Sequence, residues 1–220
     1  MPALLFSQMD PPPGRDQEFA DWYECDHIPA RMVIKGFTGA ARYQNLEPEP
    51  AHLAVYELDD VDVLQTDEYK QLKAHPSALT TEMLSTVSSF TRYTLETIAD
   101  TGAVEDAAPY LFAVAFDVPA EHETEFDDWY ATEHIPLLMQ VPEWRRVRRF
   151  RTVGDQAGPH LTRFALHELQ SLDALKAPQR NIARTTEWRS RLSDAHDWFR
   201  QNQRWTYSLI SAHDPITKEV

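Results

Sequence analysis

Hydrophobic residues in the first half of the chain follow two periodicities that alternate along the sequence. Residues 4–9, which are mostly apolar, are predicted to form a buried strand, whereas Phe19, Trp22 and Tyr23 recur at intervals of three and four, which places them on one helical stripe. The half as a whole therefore reads strand, helix, strand, strand, helix, strand. The later predicted strands are 42–45, 52–58 and 90–98, and the second predicted helix is 61–72.

The second half of the chain repeats this order. Residues 18–29 align without gaps on residues 125–136, and eight of the twelve aligned pairs are identical. Self-similarity of this extent indicates two copies of one structural unit. The predicted strands of the second copy are 110–116, 146–152, 162–169 and 205–210, and its second predicted helix is 172–184.

A proline ends the shared motif in both copies. Pro29 and Pro136 each follow a His-Ile pair. Proline inside a helix removes a backbone hydrogen bond and clashes with the preceding turn. The first helix of each copy is therefore predicted to end just beyond His27 and His134.

Two such units in one chain also predict how their sheets are covered. A four-stranded sheet with both helices on one face leaves a second apolar face that needs cover. We therefore expect an α+β protein in which two repeats, 1–98 and 110–220, pair their antiparallel sheets into an α/β barrel. Residues 99–109, which are mostly small and polar, are the predicted linker, and the second repeat includes the C-terminal tail.

Composition narrows the classes of partner. Lys and Arg total 21 against 35 Asp and Glu, and the formal charge of -14 argues against a broad surface for nucleic acid or anionic membrane. Cys25 is the only cysteine, which excludes an intramolecular disulfide and fits a reducing, cytoplasmic location. No apolar run approaches the roughly 20 residues needed to cross a bilayer. We expect a small-molecule substrate and leave a homodimer of the chain open.

Metal and nucleotide motifs do not occur in the sequence. The histidines show neither His-x-His nor His-x-x-x-His spacing, and no glycine-rich phosphate loop is found. We therefore predict no metal site and no tightly bound cofactor.

Two histidines are the leading candidates for chemistry. His27 and His134 occupy matching positions, and Tyr23 and Tyr130 lie four residues before them on the same helical face. An imidazole exchanges a proton near neutral pH and a tyrosine hydroxyl stabilises a developing oxyanion, so each pair suits proton abstraction next to a carbonyl. The structural alternative is that each histidine caps the carbonyl end of its helix.

Matched arginines and tryptophans are the candidates for substrate binding. Arg42 and Arg149 start corresponding strands, and a guanidinium pointing into the barrel would hold a carboxylate or phenolate; the alternative is surface pairing with acidic residues. Trp22 and Trp129 either contact substrate or pack in the core. The basic run 145–151 has no counterpart in the first copy, and it either lines an anion-binding cavity or faces solvent.

The motif Trp-Tyr-x-x-x-His-Ile-Pro, followed by an Arg-Tyr or Arg-Phe strand, resembles the EthD-like branch of the dimeric α/β-barrel, ferredoxin-like superfamily. The chain looks like a tandem fusion of two such domains, spanning residues 3–98 and 110–212. Tyr56, in the later Tyr-Glu-Leu strand of the first copy, also fits the resemblance, whereas the second copy departs from it with His167.

This resemblance implies small-molecule chemistry, because relatives include lactone isomerases, aromatic decarboxylases and cyclases, and cofactor-free or haem-degrading oxygenases. Our main hypothesis is an enzyme without tightly bound cofactor that performs lyase, isomerase or decarboxylase chemistry on a small anionic or aromatic metabolite in the barrel cavity. The alternatives are an oxygenase or other oxidoreductase, cofactor-free or haem-binding, and a non-catalytic binding protein for a hydrophobic metabolite. Such folds host unrelated reactions, so the site itself has to decide.

Overall fold

The strands are formed by the predicted β-type segments, most of them extended by a few residues. The computed structural model describes residues 1–214, so the end of the predicted C-terminal tail, 215–220, lies outside the described residues. The strands are β1 (Ala3–Asp10), β2 (Phe37–Asn45), β3 (His52–Leu58), β4 (Ser88–Gly102), β5 (Tyr110–Phe116), β6 (Trp144–Thr152), β7 (Arg163–Leu169) and β8 (Gln203–His213).

The helices include the predicted aromatic stripes, and several of them begin directly after a capping residue. Thr66, Ser77 and Thr186 each accept a hydrogen bond from a backbone N–H in the first turn of the helix that follows, which satisfies a donor left free at a helix start. The α-helices are α1 (Asp16–Trp22), α2 (Ile28–Met32), α3 (Asp67–Ala74), α4 (Ala78–Thr86), α5 (Glu123–Trp129), α6 (Ile135–Leu138), α7 (Pro178–Ala183), α8 (Glu187–Ala195) and α9 (Asp197–Arg200). Short 3₁₀ turns cover Val61–Gln65, Ala120–His122 and Leu172–Lys176.

Hydrogen bonds join the eight strands into a closed antiparallel barrel in the order β1-β3-β2-β8-β5-β7-β6-β4. Each half of the chain contributes strands and helices in the predicted order. The predicted fold class, an α+β chain whose ferredoxin-like halves pair into an α/β barrel, is confirmed.

The chain divides into two compact units. Unit 1 contains Met1–Glu96, Val153–Pro159 and the chain from Ile210, and unit 2 contains Thr97–Thr152 and His160–Leu209. The division of the chain into repeats 1–98 and 110–220 remains a prediction. The long strands β4 and β8 each contribute residues to both units, so a cut at a single loop would not separate the units.

The helical stripe predicted from the sequence forms the core of each unit. In unit 1, Phe19 and Trp22 are 0 % exposed and belong to one buried cluster with residues of β1 and β3. In unit 2, Phe126 and Trp129 are 1 % exposed and pack with residues of β5 and β7 in the same way. Burial of these large aromatics is a main stabilising contribution to each unit.

The predicted helix ends at the prolines are wrong. Each helix widens into a π-helical turn, Tyr23–His27 or Tyr130–His134, and then continues as α2 or α6. In these turns the N–H of Ile28 bonds to the carbonyl of Tyr23, and the N–H of Ile135 bonds to that of Tyr130. This i→i−5 pattern accommodates the missing proline N–H, so the helix need not stop.

Two further differences concern the segments that follow β3 and β7. The predicted second helices, 61–72 and 172–184, are each a 3₁₀ turn followed by a short α-helix, and sequence periodicity missed α4, α8 and α9. β4 continues to Gly102 and so includes the first residues of the predicted linker. Within the part of the chain that is described, no helix is both long enough and apolar enough to cross a membrane.

Candidate functional site

Unit 1 contains a cavity of about 530 Å³. Residues of β1, β3, β4, the π-helical turn, α2, α3 and α4, together with residues 155–157, line this cavity. A volume of this size is typical of a small-molecule site. Its aromatic and apolar walls include Leu5, Met9, Tyr23, Tyr56, Tyr69 and Phe90.

His27 lines this cavity from the π-helical turn. Its ring packs against Trp22 and Tyr23, with ring centroids 4.3 Å and 5.1 Å away, and the residue is 6 % exposed. Nδ1 is buried without a hydrogen-bond partner, and within residues 1–214 no bond to Nε2 is found, which leaves Nε2 as the accessible nitrogen. Burial, with a contribution from the Arg31 charge, holds the pKa of His27 well below 6.5, so the ring is neutral at pH 7.

Helix continuation removes the capping role that was the structural alternative for the histidines. α2 follows His27 and α6 follows His134 without a break, so neither imidazole lies at the carbonyl end of a helix. The last turns of these helices end instead at Met32 and Leu138. Another reason is therefore needed for an unpaired imidazole beside the unit 1 cavity.

Tyr56 and Tyr23 provide hydroxyl groups at the same cavity. The Tyr56 hydroxyl is buried and has no hydrogen-bond partner among the described residues, and its ring centroid lies 6.5 Å from that of His27. Burial raises the pKa of Tyr56 to about 12, so the hydroxyl remains a donor at neutral pH. Among the described residues, the Tyr23 hydroxyl donates only to the sulfur of Met9, at 3.6 Å, and burial raises the pKa of Tyr23 as well.

Three cationic side chains line the cavity in a chain that is strongly acidic overall. These are Arg31, Lys73 and Arg92. Arg31 lies 5.3 Å from the centre of the Tyr56 ring, and Arg92 donates to the Tyr69 hydroxyl at 2.9 Å. The Arg92 charge, together with burial and Arg31, lowers the pKa of Lys73. Two carboxylates, Asp26 and Asp155, also line the cavity, so three cations face two anions and the positive charge is in slight excess, which favours a negatively charged ligand.

Trp22 positions the motif and does not line the cavity. Its indole N–H donates to the Thr80 hydroxyl at 2.8 Å, and that hydroxyl donates to Asp26 at 2.8 Å. Asp26 also accepts from Ser77, at 2.6 Å. In unit 2, Trp129 donates directly to the longer Glu133 at 3.0 Å. Glu133 in turn accepts from the Thr186 hydroxyl at 2.6 Å. These bonds connect the motif helix of each unit to the N-terminus of α4 or α8.

The predicted substrate-binding arginines also lie away from the cavities. Arg42 is 2 % exposed, donates to Glu24 at 2.6 Å, and stacks its guanidinium 4.6 Å from the centre of the Tyr23 ring. Arg149 pairs with Asp127 and stacks on Tyr130 at 5.0 Å in the same way. Each arginine therefore connects a strand to the motif helix, and neither lines a cavity.

Unit 2 has a cavity of only about 50 Å³ at the corresponding place. β5 places Phe112 and Phe116 where β1 has Leu5 and Met9, and the larger rings occupy the space. Phe116 packs against Phe199, with ring centroids 5.6 Å apart. A ligand that fits unit 1 has no room in unit 2.

Unit 2 also satisfies polar groups that unit 1 leaves unpaired. His167, which corresponds to Tyr56 in strand register, accepts from the Trp144 indole at 3.1 Å and contacts the Tyr130 hydroxyl at 3.1 Å. His134 donates through Nδ1 to the Ala183 carbonyl at 3.2 Å. Burial lowers the pKa of His134 to about 4. The matching catalytic candidates of unit 2 are thus engaged by the protein itself.

A group of metal-ligand side chains lies in unit 2, outside both cavities. Ligand atoms of His122, Glu125 and His196 are within 4.8 Å of one another. His196 lies more than 70 residues after His122 and Glu125, so motif spacing missed the group. Both imidazoles stack on Trp198, at 5.9 Å and 5.3 Å between ring centroids. Aromatic stacking accounts for their positions without an ion.

Sequence reasoning found His27 and Tyr23 but missed the other residues around the unit 1 cavity. Arg31 follows His27 by one helical turn, on the part of the helix that the sequence prediction ended too early. Lys73 and Arg92 belong to different elements, and only the fold brings them together. Tyr56 was noted as part of the family resemblance, but no role was assigned to it.

Comparisons with known proteins show the fold. No family model matches the chain, and no curated protein is similar to it. Among solved structures, an anthrone oxidase-like protein has a TM-score of 0.72 at 14 % identity, covering 99 % of this chain and 94 % of that one. A monooxygenase candidate from Fusobacterium nucleatum has a TM-score of 0.66 at 10 % identity, with 97 % and 94 % covered. A candidate chlorite dismutase has a TM-score of 0.56 at 12 % identity, with 96 % and 95 % covered.

Proposed function

We propose that the chain is an oxygenase that oxidises an anionic, electron-rich aromatic compound in the cavity of unit 1. The observation that carries this proposal is an imidazole without a hydrogen bond on either nitrogen, next to an unpartnered tyrosine hydroxyl in a cavity of about 530 Å³. Buried polar groups without hydrogen-bond partners are rare and destabilise a protein. A ligand that bonds to the His27 imidazole and the Tyr56 hydroxyl would account for both.

Each side chain has a role in this proposal. Arg31, Lys73 and Arg92 attract the acidic group of the substrate, and neutral His27 removes a proton from an activated carbon through Nε2. Tyr56, which remains protonated, donates to the oxygen on which negative charge develops. The aromatic walls hold the flat ring system.

The oxidation follows from the carbanion that this step generates. The carbanion gives electrons to molecular oxygen and forms a C–O bond, which yields a peroxide that takes up a proton. Loss of water leaves a carbonyl, so the balance for an activated methylene is CH₂ + O₂ → C=O + H₂O. The fold-level neighbour described as anthrone oxidase-like supports this choice of reaction, because an anthrone carries such a methylene between two aromatic rings.

The experiment is oxygen uptake with a hydroxyanthrone as substrate. We expect one O₂ consumed for each quinone formed, and a loss of this activity in the variant His27→Ala. Unchanged oxygen uptake in that variant would contradict the role of His27. Turnover without oxygen uptake would instead support the lyase or isomerase hypothesis, which uses the same proton abstraction.

A haem titration separates the two versions of the oxygenase. His27 is the one imidazole that lines the cavity among the described residues, so a haem bound there through histidine would be held by His27 and would supply iron-based oxidation. An imidazole bound to iron cannot serve as the base. A histidine-ligated haem spectrum that His27→Ala abolishes would therefore favour the haem version. If adding haem to the unmodified chain changes neither its spectrum nor its full activity, the cofactor-free version is favoured.

We further propose that the chain is a tandem EthD-like protein. The repeated twelve-residue motif supports this origin, as do the π-helical turn at the same position of both copies and the matching strand registers of Tyr56 and His167. A homodimer of the chain remains a prediction, which light scattering of the purified protein tests.

A further inference from the structure

The small cavity of unit 2 is lined by four arginines. Arg180, Arg184, Arg189 and Arg204 come from α7, the turn after it, α8 and β8. Arg180 and Arg189 are half-buried, and Arg184 and Arg204 are exposed. Within residues 1–214 no carboxylate lies within 4.0 Å of any of the four, although acidic residues outnumber basic ones in the chain.

The bonds of these side chains do not neutralise their charge. Arg180 donates to the Leu175 carbonyl at 2.6 Å, and Arg189 donates to the Arg184 carbonyl at 3.0 Å. Burial, followed by the charges of Arg184 and Arg204, lowers the pKa of Arg180 and of Arg189. Like charges gathered around a cavity destabilise the protein unless a counter-charge is present.

The volume of the cavity limits the counter-charge to a small ion. A volume of about 50 Å³ has room for roughly three to five water molecules, which is the size of a tetrahedral oxyanion and far smaller than a polycyclic aromatic. Guanidinium groups bind planar and tetrahedral oxyanions through paired N–H donors.

We propose that Arg180, Arg184, Arg189 and Arg204 form a binding site for a small oxyanion, of the phosphate, sulfate or dicarboxylate class, in unit 2. The site is separate from the aromatic substrate of unit 1 and does not depend on the proposed oxidation. His134 and Tyr130 line it but are engaged by the protein, so the site binds its ion without transforming it.

The test is calorimetric titration of the full chain with inorganic phosphate, sulfate and oxalate at constant ionic strength. We expect one bound anion per chain, and the preferred ion distinguishes a tetrahedral from a planar ligand. At tenfold excess over Kd, the bound ion raises Tm by about 3–6 °C. Absence of binding by all three ions at about 10 mM would overturn the proposal.

Matched variants locate the bound ion. Arg184→Gln with Arg204→Gln, both exposed positions, weakens binding by roughly tenfold or more. Arg145→Gln with Arg191→Gln removes the same charge from exposed positions of unit 2 outside the cavity and leaves affinity within about twofold. Unchanged binding in the Arg184→Gln, Arg204→Gln variant would contradict the proposal. Loss of binding in Lys73→Gln would also contradict it, because the anion would then bind in the cavity of unit 1.

Discussion

In unit 1 the Trp-Tyr-x-x-x-His-Ile-Pro motif borders a cavity of about 530 Å³, whereas in unit 2 the same motif borders one of about 50 Å³. The motif residues themselves fold alike in both units, down to the π-helical turn and the arginine stacked on the tyrosine. Part of the difference comes from the facing strand, where Phe112 and Phe116 take the places of Leu5 and Met9, and part from other large side chains, such as Phe199, that line the smaller cavity. The motif therefore gives the same local structure in both units, and the residues around it determine whether the cavity is large enough for a substrate.

The largest expected effect separates the two histidines. His27→Ala lowers kcat for the proposed oxidation by about 10²–10⁴-fold, because it removes the base. His134→Ala leaves kcat within about twofold, since its imidazole already bonds to the Ala183 carbonyl. Oxygen-electrode kinetics measure both, with thermal melting to check folding. Equal losses in the two variants would mean that both units take part in catalysis.

The second prediction gives unit 1 the side chains of unit 2. Leu5→Phe combined with Met9→Phe narrows the cavity along β1 and lowers affinity for an anthrone by roughly tenfold, because the larger rings clash with the bound ring system. Fluorescence titration measures the affinity. The control Phe112→Leu lowers the free energy of unfolding by about 1–3 kcal/mol and leaves affinity unchanged. Full affinity in the Leu5→Phe, Met9→Phe variant would place the substrate elsewhere.

The third prediction concerns the unpartnered hydroxyl. Tyr56→Phe lowers kcat/KM by about tenfold, yet leaves the free energy of unfolding unchanged or raises it by up to about 1 kcal/mol, because the lost group had no partner. Tyr130→Phe does the reverse: activity is retained and unfolding becomes easier by about 1 kcal/mol, because His167 loses its contact. Urea denaturation beside steady-state kinetics distinguishes the two. A destabilised Tyr56→Phe with normal kinetics would show a purely structural role.

The smallest expected effect is a dependence on pH. Burial lowers the pKa of His134 from 6.5 to about 4, so the unfolded chain takes up a proton before the folded one does. The contribution of neutral His134 to the free energy of unfolding is present in full above pH 6.5 and is lost as pH falls toward 4. The loss at pH 5 is on the order of 1–2 kcal/mol. Urea unfolding of His134→Gln should show a weaker decline in that window. An identical decline would assign the acid sensitivity to other groups.

Activity has its own dependence on acid. Because the pKa of His27 lies well below 6.5, the free base is present throughout the neutral range. The proposed base therefore keeps kcat/KM level from pH 8 to 6.5, with any decline due to His27 appearing only below that. An acid limb near pH 7 that His27→Ala abolishes would contradict the buried, neutral imidazole.

Sequence periodicity was sufficient for the strands and the core but not for the site. Aromatic residues at helical spacing, such as Phe19 and Trp22, must bury one face, so their packing was predictable. The role of Arg42 was not predictable from the sequence. From the same strand position its guanidinium could reach into the barrel or reach a carboxylate of the helix. Lys73 and Arg92 lie on separate elements, and only tertiary structure shows that they surround one cavity.

The π-helical turn also makes chain length, and not only residue type, a determinant of the chemistry. The turn Tyr23–His27 holds one residue more than an α-helical turn, because the N–H of Ile28 reaches back five residues to the carbonyl of Tyr23. Deleting one residue from this turn, such as the exposed Cys25, would return the ladder to α-helical bonding and bring Tyr23 and His27 from four residues apart to three. The spacing of the hydroxyl and the imidazole along the cavity wall would change, so we expect this single-residue deletion to lower activity while every functional residue is still present.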